Sequence, residues 1–427
     1  MKLIIIILYL IFYLPFFFEY TNLLPSVFKS AIELLIVLYF IFLFLNGRIK
    51  NYMKSNIYKL YLIFNLLIII VYIISTIINN SDFIYLFIRC KTFIISFLLF
   101  NIFLTYIHKS NNIVRIRFFF KQFSKIQIYV SFAQYLLAFF FSFYLKEFQS
   151  FDIIDIAAGT IGRGTGLFAV LCVMIFIYYF TFENDKKAFI YLLPLLVTFS
   201  SGANMILVIA IILSILLNAS KVKLFSKTTM VYIIIIVIAG VFVSTYIIKD
   251  NIISNSINYI SKTNSNVNER NIIIYDNGKL TRQLGYLYII DKLDKTDNEI
   301  FGIGPDALVI SKAQEKINKV DGIEEILNTT YYLWLEIGYV GIVIYYLFLI
   351  ILSIMLFKGR KNKFFKGGFI IVIIFILSSY YTTIHFSLPI MVFFSFILAI
   401  LIISEQKIKT NKYGKISQYN NTNLQKT

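Results

Sequence analysis

The chain has 427 residues, of which 59% are hydrophobic, with a mean hydropathy of +0.80 and a formal net charge of +18. A soluble domain is roughly 45–50% apolar, so an ordinary soluble fold is excluded, and runs such as "YIIIIVIAGVFV" lack the alternation of the ~10-residue strands of a membrane β-barrel. On a soluble protein such a charge would suggest nucleic acid; here its placement along the chain explains it as topology and points to no nucleic-acid partner.

In chain order, apolar blocks long enough to cross a hydrocarbon core of about 30 Å recur at 3–18, 31–46, 60–78, 92–107, 128–145, 165–182, 188–200, 203–218, 229–248, 331–357, 368–384 and 387–403. They predict an all-α polytopic membrane protein with about twelve transmembrane helices. The first block follows Lys2 directly and lacks a small-x-small cleavage site, so it reads as an uncleaved helix. With the N-terminus inside, the cytoplasmic pieces are 1–2, 47–59, 108–127, 183–187, 219–228, 358–366 and 404–427, and together they hold 25 Lys and Arg. The short outer loops hold only Lys29, Arg89, Lys91, Lys146 and Arg163. The positive-inside rule therefore places both termini in the cytoplasm. Four regions follow: nine spans in 1–248, an extracytoplasmic loop at 249–330, three spans in 331–403, and a basic cytoplasmic tail at 404–427. Cys90, in an outer loop, and Cys172, in a membrane helix, are too few and too poorly placed to argue a disulfide or a metal.

The seventh and eighth spans are short and joined by "SSGAN" (Ser200 to Asn204), read as a tight outer turn. It is either a plain helical hairpin or a polar turn lining an outer cavity, since irregular backbone near a membrane must face protein or water. The loop 249–330 is too long for a simple connection. It carries 10 basic and 12 acidic residues. "TRQLGYLYIIDKLDK" (Thr281 to Lys295) has a weak amphipathic helical pattern. "GIGP" makes a turn, with Pro305 suited to open a helix, and "DGIEEIL" has a capping-box-like start at Asp321. The loop is thus expected to be partly helical, with "NSNVNER" (Asn264 to Arg270) the more mobile part.

Few motifs carry chemistry. "GIGPDA" has Ala307 where a nucleotide-binding fingerprint needs its third glycine, and no strand precedes it. A tight turn is the simpler account. No D-x-D pair, EF-hand pattern or His/Cys cluster occurs, and His108 and His385 are the only histidines. No metal and no cofactor is expected. The chemical equipment of the outer face is then Arg163, Arg270, Arg282, Asp306 and Glu336. Arg163, in "GTIGRGTGL", is either a snorkelling anchor or a site residue; the flanking glycines favour a site, since an anchor needs no special backbone. Glu336, about one turn into the tenth span in "YYLWLEIGYVG", is a functional candidate because a carboxylate in a membrane helix is expensive. Packing or a hydrogen bond to the loop is its other reading. Glu33 could simply reach the interface. Trp334, Tyr331 and Tyr332 suit an aromatic belt.

Arg282, a gap of about twenty residues, "FGIGP", and then "NTTYYLWLEIGYVG" leading into a helix together resemble the O-antigen polymerase/ligase superfamily. Asn328, Glu336, Gly338 and Gly341 fit that family's entry to the helix after its long outer loop. Leu327 stands where the family often has a His, so no His-based role carries over. Arg163 and "SSGAN" also sit where the family places an Arg-bearing loop and a small-polar turn, the latter without its usual Arg. The resemblance covers roughly 150–357. It implies a GT-C-like, metal-independent glycosyltransferase of the bacterial cytoplasmic membrane. Its substrate would be an undecaprenyl-diphosphate-linked oligosaccharide presented at the outer leaflet, extended into O-antigen, capsule or exopolysaccharide. It also implies membrane lipids, a chain-length regulator and a flippase as partners. Arg163 and Arg282 would hold the diphosphate leaving group, since Arg gives bidentate, permanently charged contacts without a metal. Glu336 would act as base on the acceptor hydroxyl. Arg270, Gly302, Gly304, Asn328 and Asn204 would contribute to substrate binding, the two glycines by positioning the loop. The rivals are a ligase passing the glycan to another acceptor, a lipid-linked oligosaccharide flippase or transporter, and an assembly factor without chemistry.

Overall fold

A computed structural model describes residues 2–17, 25, 27–49, 52–107, 110–140, 157–161, 164–185, 187–198, 200–217, 293, 298–306 and 328–424. Among the described residues there are helices and no strand. They are α1 (Lys2–Pro15), α2 (Val27–Leu45), α3 (Asn56–Ile78), α4 (Phe83–Ile107), α5 (Ser110–Phe140), α6 (Thr165–Thr181), α7 (Leu195–Thr198), α8 (Ser201–Leu217), α9 (Thr329–Lys358), α10 (Lys363–Tyr381) and α11 (Leu388–Leu424). Short 3₁₀ turns, Ala188–Leu192 and Ile384–Phe386, precede α7 and α11. Among the described residues, six helices are long and apolar enough to cross a membrane: α2, α3, α4, α9, α10 and the Leu388–Gln406 part of α11. Helices α1, α6 and α8, and the Ala188–Thr198 stretch, are apolar but shorter.

The packing explains why these sequences are apolar on every side. Helix α6 and the first part of α11 form the middle of the bundle, with Phe168 to Phe182 and Ile390 to Ile402 buried throughout. Around them, the outer helices bury one face and present the other to their surroundings. On α9, Tyr345, Phe348, Leu352 and Leu356 are buried, while Val343, Leu347, Ile350 and Ile354 are exposed. A soluble helix would carry polar residues on that second face. Helix α10 runs antiparallel to α6, with Gly367 closely packed on Thr181 and Phe182 at one end, and Tyr381 on Gly166 at the other.

Three expected boundaries move. Helix α4 begins at Phe83, so Arg89, Cys90 and Lys91 lie within it and not in an outer loop. Their charges are tolerated because each has a partner: Lys91 Nζ is 2.8 Å from Glu33 Oε2, and Arg89 meets Glu336. Helix α5 begins at Ser110, within the expected cytoplasmic loop 108–127. Phe119, Phe120 and Phe123 on its buried side pack edge-on against Phe12. Arg117 and Lys121 of the same helix reach Glu183 at 3.0 Å and Asp185 at 3.8 Å. The ninth expected span and nearly all of the loop before 298 lie outside the described residues. Helix α11 continues through Leu424, past the expected start of the tail.

The bundle has two distinct ends. One gathers the start of α3, the start of α5 and the junctions 182–187 and 358–363. It is tied by Ser55 Oγ donating to Glu405 (2.6 Å) and by Lys363 Nζ donating to the Phe182 carbonyl (2.9 Å). The opposite end holds residues 79–82, 298–306, 328–332 and 380–387.

Candidate functional site

The second end is organised around a break in α9. Asn328 caps the helix: its Oδ1 accepts from the Tyr331 amide at 2.9 Å, and its Nδ2 donates to the Tyr380 carbonyl at 2.8 Å. The helix then interrupts at Gly338, with φ 64° and ψ −161°. A left-handed φ of this kind favours glycine. A Cβ there would lie 2.4 Å from the Ile300 carbonyl oxygen and 2.5 Å from the Gly302 nitrogen, so a side chain is sterically excluded as well.

A break of this sort frees backbone groups that need partners when buried. Residues 299–304 supply them. The amides of Tyr339 and Val340, whose helical acceptors would be Leu335 and Glu336, donate instead to Glu299 (3.0 Å) and Ile300 (3.2 Å). In return Ile303 donates to the Leu335 carbonyl (2.8 Å) and Gly304 to the Glu336 carbonyl (3.1 Å). The "FGIGP" stretch is thus a strap laid into the break. Gly302 (φ +73°) lies so close that a Cβ would sit 2.6 Å from backbone atoms of 336–338. The end of α3 holds the strap from its other side. Asn79 Nδ2 donates to the Gly302 carbonyl (2.9 Å), Asn298 Nδ2 donates to Asn79 Oδ1 (2.6 Å), and Ser81 Oγ donates to Asp306 (2.6 Å).

The side chain of Glu336 closes the arrangement. It is completely buried. Tyr72 Oη donates to its Oε2 at 2.8 Å, and Arg89 Nε pairs with its Oε1 at 2.6 Å. Ser75 Oγ donates to its backbone carbonyl at 2.7 Å. The Arg89 guanidinium lies 5.0 Å over the Tyr332 ring, a cation–π contact, and its side chain keeps 17% exposure. Burying a charge is tolerated only when it is paired and hydrogen-bonded, and both carboxylate oxygens have a partner. Through Tyr72 and Arg89, Glu336 ties α3 and α4 to the strapped break.

Of the other site candidates, Arg163, Arg270 and Arg282 lie outside the described residues. Asn328 is a helix cap with both amide atoms engaged. Gly302 and Gly304 are strap residues. Asn204 is buried in the first turn of α8, where its amide donates to the Ser200 carbonyl at 3.1 Å. "SSGAN" is therefore not an open turn: Ser201 to Asn204 are helical, and a Cβ at Gly202 would fall 2.2 Å from the Tyr381 ring. Ser200 Oγ and Tyr381 Oη are 2.8 Å apart. Helix α7 and its 3₁₀ turn replace the expected seventh span with two shorter pieces.

Three features escaped the sequence. Arg89 and Tyr72 are separated from Glu336 by well over two hundred residues, and no local pattern joins them. Gln127 and Gln134 of α5 fasten the segment before α6: Gln134 exchanges hydrogen bonds with both backbone groups of Gly159 (2.8 and 2.9 Å), and Gln127 accepts from the Thr160 amide (2.8 Å) and donates to the Thr160 hydroxyl (2.6 Å). His385 is buried with neither ring nitrogen hydrogen-bonded. It sits against Phe93 at 4.4 Å between ring centroids and against Tyr345 at 5.5 Å, and burial pushes its pKa down to about 3. It serves as a neutral aromatic filler. Among the described residues no group of His, Cys, Asp or Glu could hold a metal ion.

No protein-family model matches the chain, and no curated protein matches it.

Proposed function

We propose that this chain is a metal-independent glycosyltransferase of the bacterial cytoplasmic membrane, with twelve spans and cytoplasmic termini. It polymerises undecaprenyl-diphosphate-linked oligosaccharide repeat units at the outer face. One observation carries the reading. The G-x-G turn and the E-x-G helix entry, which prompted the resemblance as separate pieces of sequence, meet as one element through four exchanged backbone hydrogen bonds. That element lies opposite the end where the basic connections gather, as an outer-face site requires under the positive-inside rule.

In the proposed reaction, a sugar hydroxyl of one lipid-linked unit attacks the anomeric carbon of the donor glycan. The C–O bond to the diphosphate breaks, undecaprenyl diphosphate leaves, and the hydroxyl proton passes to a base or to water. Arg163 and Arg282 stabilise the charge that develops on the diphosphate, the step where preorganised electrostatics contributes most. The strap holds the loop at a point about twenty residues after Arg282. Glu336 and Arg89 act as positioning residues for the strap.

The interrupted α9 also favours a second reading, since transporters for charged substrates use discontinuous helices with free ends near the membrane midplane. Here the free groups at the break are taken up by 299–304. The portion after the break is about 30 Å long at 1.5 Å per residue, enough to cross by itself, which supports a break at the membrane boundary. Both points favour the enzyme.

The test is glycan chain length in a deletion strain complemented with wild type, Arg163→Ala or Arg282→Ala at matched membrane levels. The reading expects single repeat units in the deletion, with long chains restored by wild type alone. Long lipid-linked chains that fail to reach their final acceptor would indicate a ligase. Units trapped on the inner leaflet would indicate a transporter.

A further inference from the structure

The Glu336–Arg89 pair is lopsided. The Glu336 side chain is completely buried, whereas that of Arg89 keeps 17% exposure. An ion arriving from outside therefore meets the arginine first. A guanidinium offers an Nε–H edge, a flat face and a tip of two amino groups. The edge is turned to Glu336 Oε1 at 2.6 Å, and the face lies 5.0 Å from the centre of the Tyr332 ring. Both contacts fix the plane of the fork without calling on its tip. Arg89 is six residues into α4, about 9 Å along the axis from its start. Its neighbours Phe87 and Ile88 are exposed, which sets an apolar surface next to the charge. A plain tie between helices needs no such pair, because desolvating two charges can outweigh their attraction and apolar side chains of similar volume do as well. A snorkelling anchor extends toward the headgroups, whereas this arginine holds a buried carboxylate.

We infer that Arg89, besides positioning the strap, binds the phosphate of a membrane lipid at the strapped face, with the phosphate on the amino tip of the fork and the lipid chain along Phe87 and Ile88. The planar fork can engage a carboxylate at its edge, a ring on its face and two phosphate oxygens at its tip together, which the single ammonium of a lysine cannot do. Glu336 then has two opposed effects. It orients the guanidinium, and its negative charge competes with the phosphate for the same cation. An isoprenoid diphosphate and an anionic phospholipid share this chemistry. Only the step that makes such a diphosphate the donor of the glycan reaction rests on the proposed function.

The test is calorimetric titration of the full-length protein in phosphatidylcholine nanodiscs with farnesyl diphosphate, with phosphatidylglycerol and with inorganic pyrophosphate. Two variants are compared with wild type: Glu336→Gln, and Glu336→Gln combined with Arg89→Gln. The inference expects opposite shifts. Removing the competing charge in Glu336→Gln should tighten binding of the lipid at least about threefold. Removing both charges should weaken it at least about tenfold relative to wild type. Thermal melts show whether each variant is folded. If either is not, Arg89→Lys, which keeps the charge beside Glu336 and removes the fork, replaces it and must weaken binding at least about tenfold. The pattern with farnesyl diphosphate, with phosphatidylglycerol or with both upholds the inference and names the lipid. Shifts in the same direction in both variants, or none, would overturn it in favour of a packing role. So would inorganic pyrophosphate binding as tightly as farnesyl diphosphate, which would make the ligand a free phosphate. Glycan elongation that fails while the opposite shifts persist would remove the proposed function and leave this inference standing.

Discussion

The two ends of this bundle are held together by different physics. At the strapped end, the ties are backbone exchanges across a glycine break and the pair of a fully buried Glu336 with a largely buried Arg89. At the basic end they are helix caps and ion pairs such as Arg117–Glu183, whose side chains keep about a quarter of their exposure. Buried, mutually dependent contacts are lost together when one is removed. Partly hydrated pairs are lost singly and at small cost, because water and salt already screen them. The strapped end should therefore be brittle, and the basic end tolerant.

The largest expected effect is at Gly338. Replacing it with Ala forces a Cβ into the strap's carbonyls and a left-handed φ onto an L residue, so Gly338→Ala should abolish folded protein in detergent size-exclusion chromatography. Next is Arg89→Ala, which strands a buried carboxylate and is expected to cost about 3–5 kcal/mol. The double change Arg89→Met with Glu336→Met removes both charges and should unfold at a higher temperature than Arg89→Ala. An additive loss in the double variant would show that the pair is not coupled.

His385 gives a smaller, pH-dependent contribution. Its pKa in the fold, about 3, lies below the ordinary value near 6.5. The unfolded chain therefore binds more protons between those values, and stability falls as pH falls through that window. Wild type should lose up to about 2 kcal/mol between pH 6.5 and 5 on this account. In thermal melts His385→Phe, which suits the aromatic surroundings, should lack this component; an unchanged acid slope would contradict the assignment. Smallest is Glu183→Gln at the basic end, expected to cost about 1 kcal/mol or less and to be reduced further by salt.

The same contrast explains what could be read from the sequence. Apolar runs marked α2, α3, α6, α8, α9 and α10 to within a few residues, because lipid and core both select apolar side chains. "GIGP" as a turn was a local signal of backbone freedom, whereas the capping role of Asn328 emerged only from the structure. Where charge entered a helix, the reading shifted: Arg89 and Lys91 made the start of α4 look like a loop, and Arg115, Arg117, Lys121 and Lys125 did the same for α5. Arg89, Lys91, Arg117 and Lys121 have acidic partners far away in sequence, which hydropathy does not register. The glycines near Arg163 pointed to a special backbone, whereas "SSGAN", read as a turn, is the first turn of α8. What Gly159, Gly166 and Gly202 approach, the two glutamines of α5 and the Tyr381 ring, depends on tertiary packing.

The measurement that bears most directly on the account is glycan length in a defined system. Purified wild-type protein is reconstituted in liposomes with undecaprenyl-diphosphate-linked repeat units and no metal, and the lipid-linked products are sized by gel and mass spectrometry. The account predicts chains of several repeats with wild type and single units with Arg282→Ala. Single units with both proteins, while the wild type remains folded and the same units are elongated by membranes of the parent strain, would contradict it.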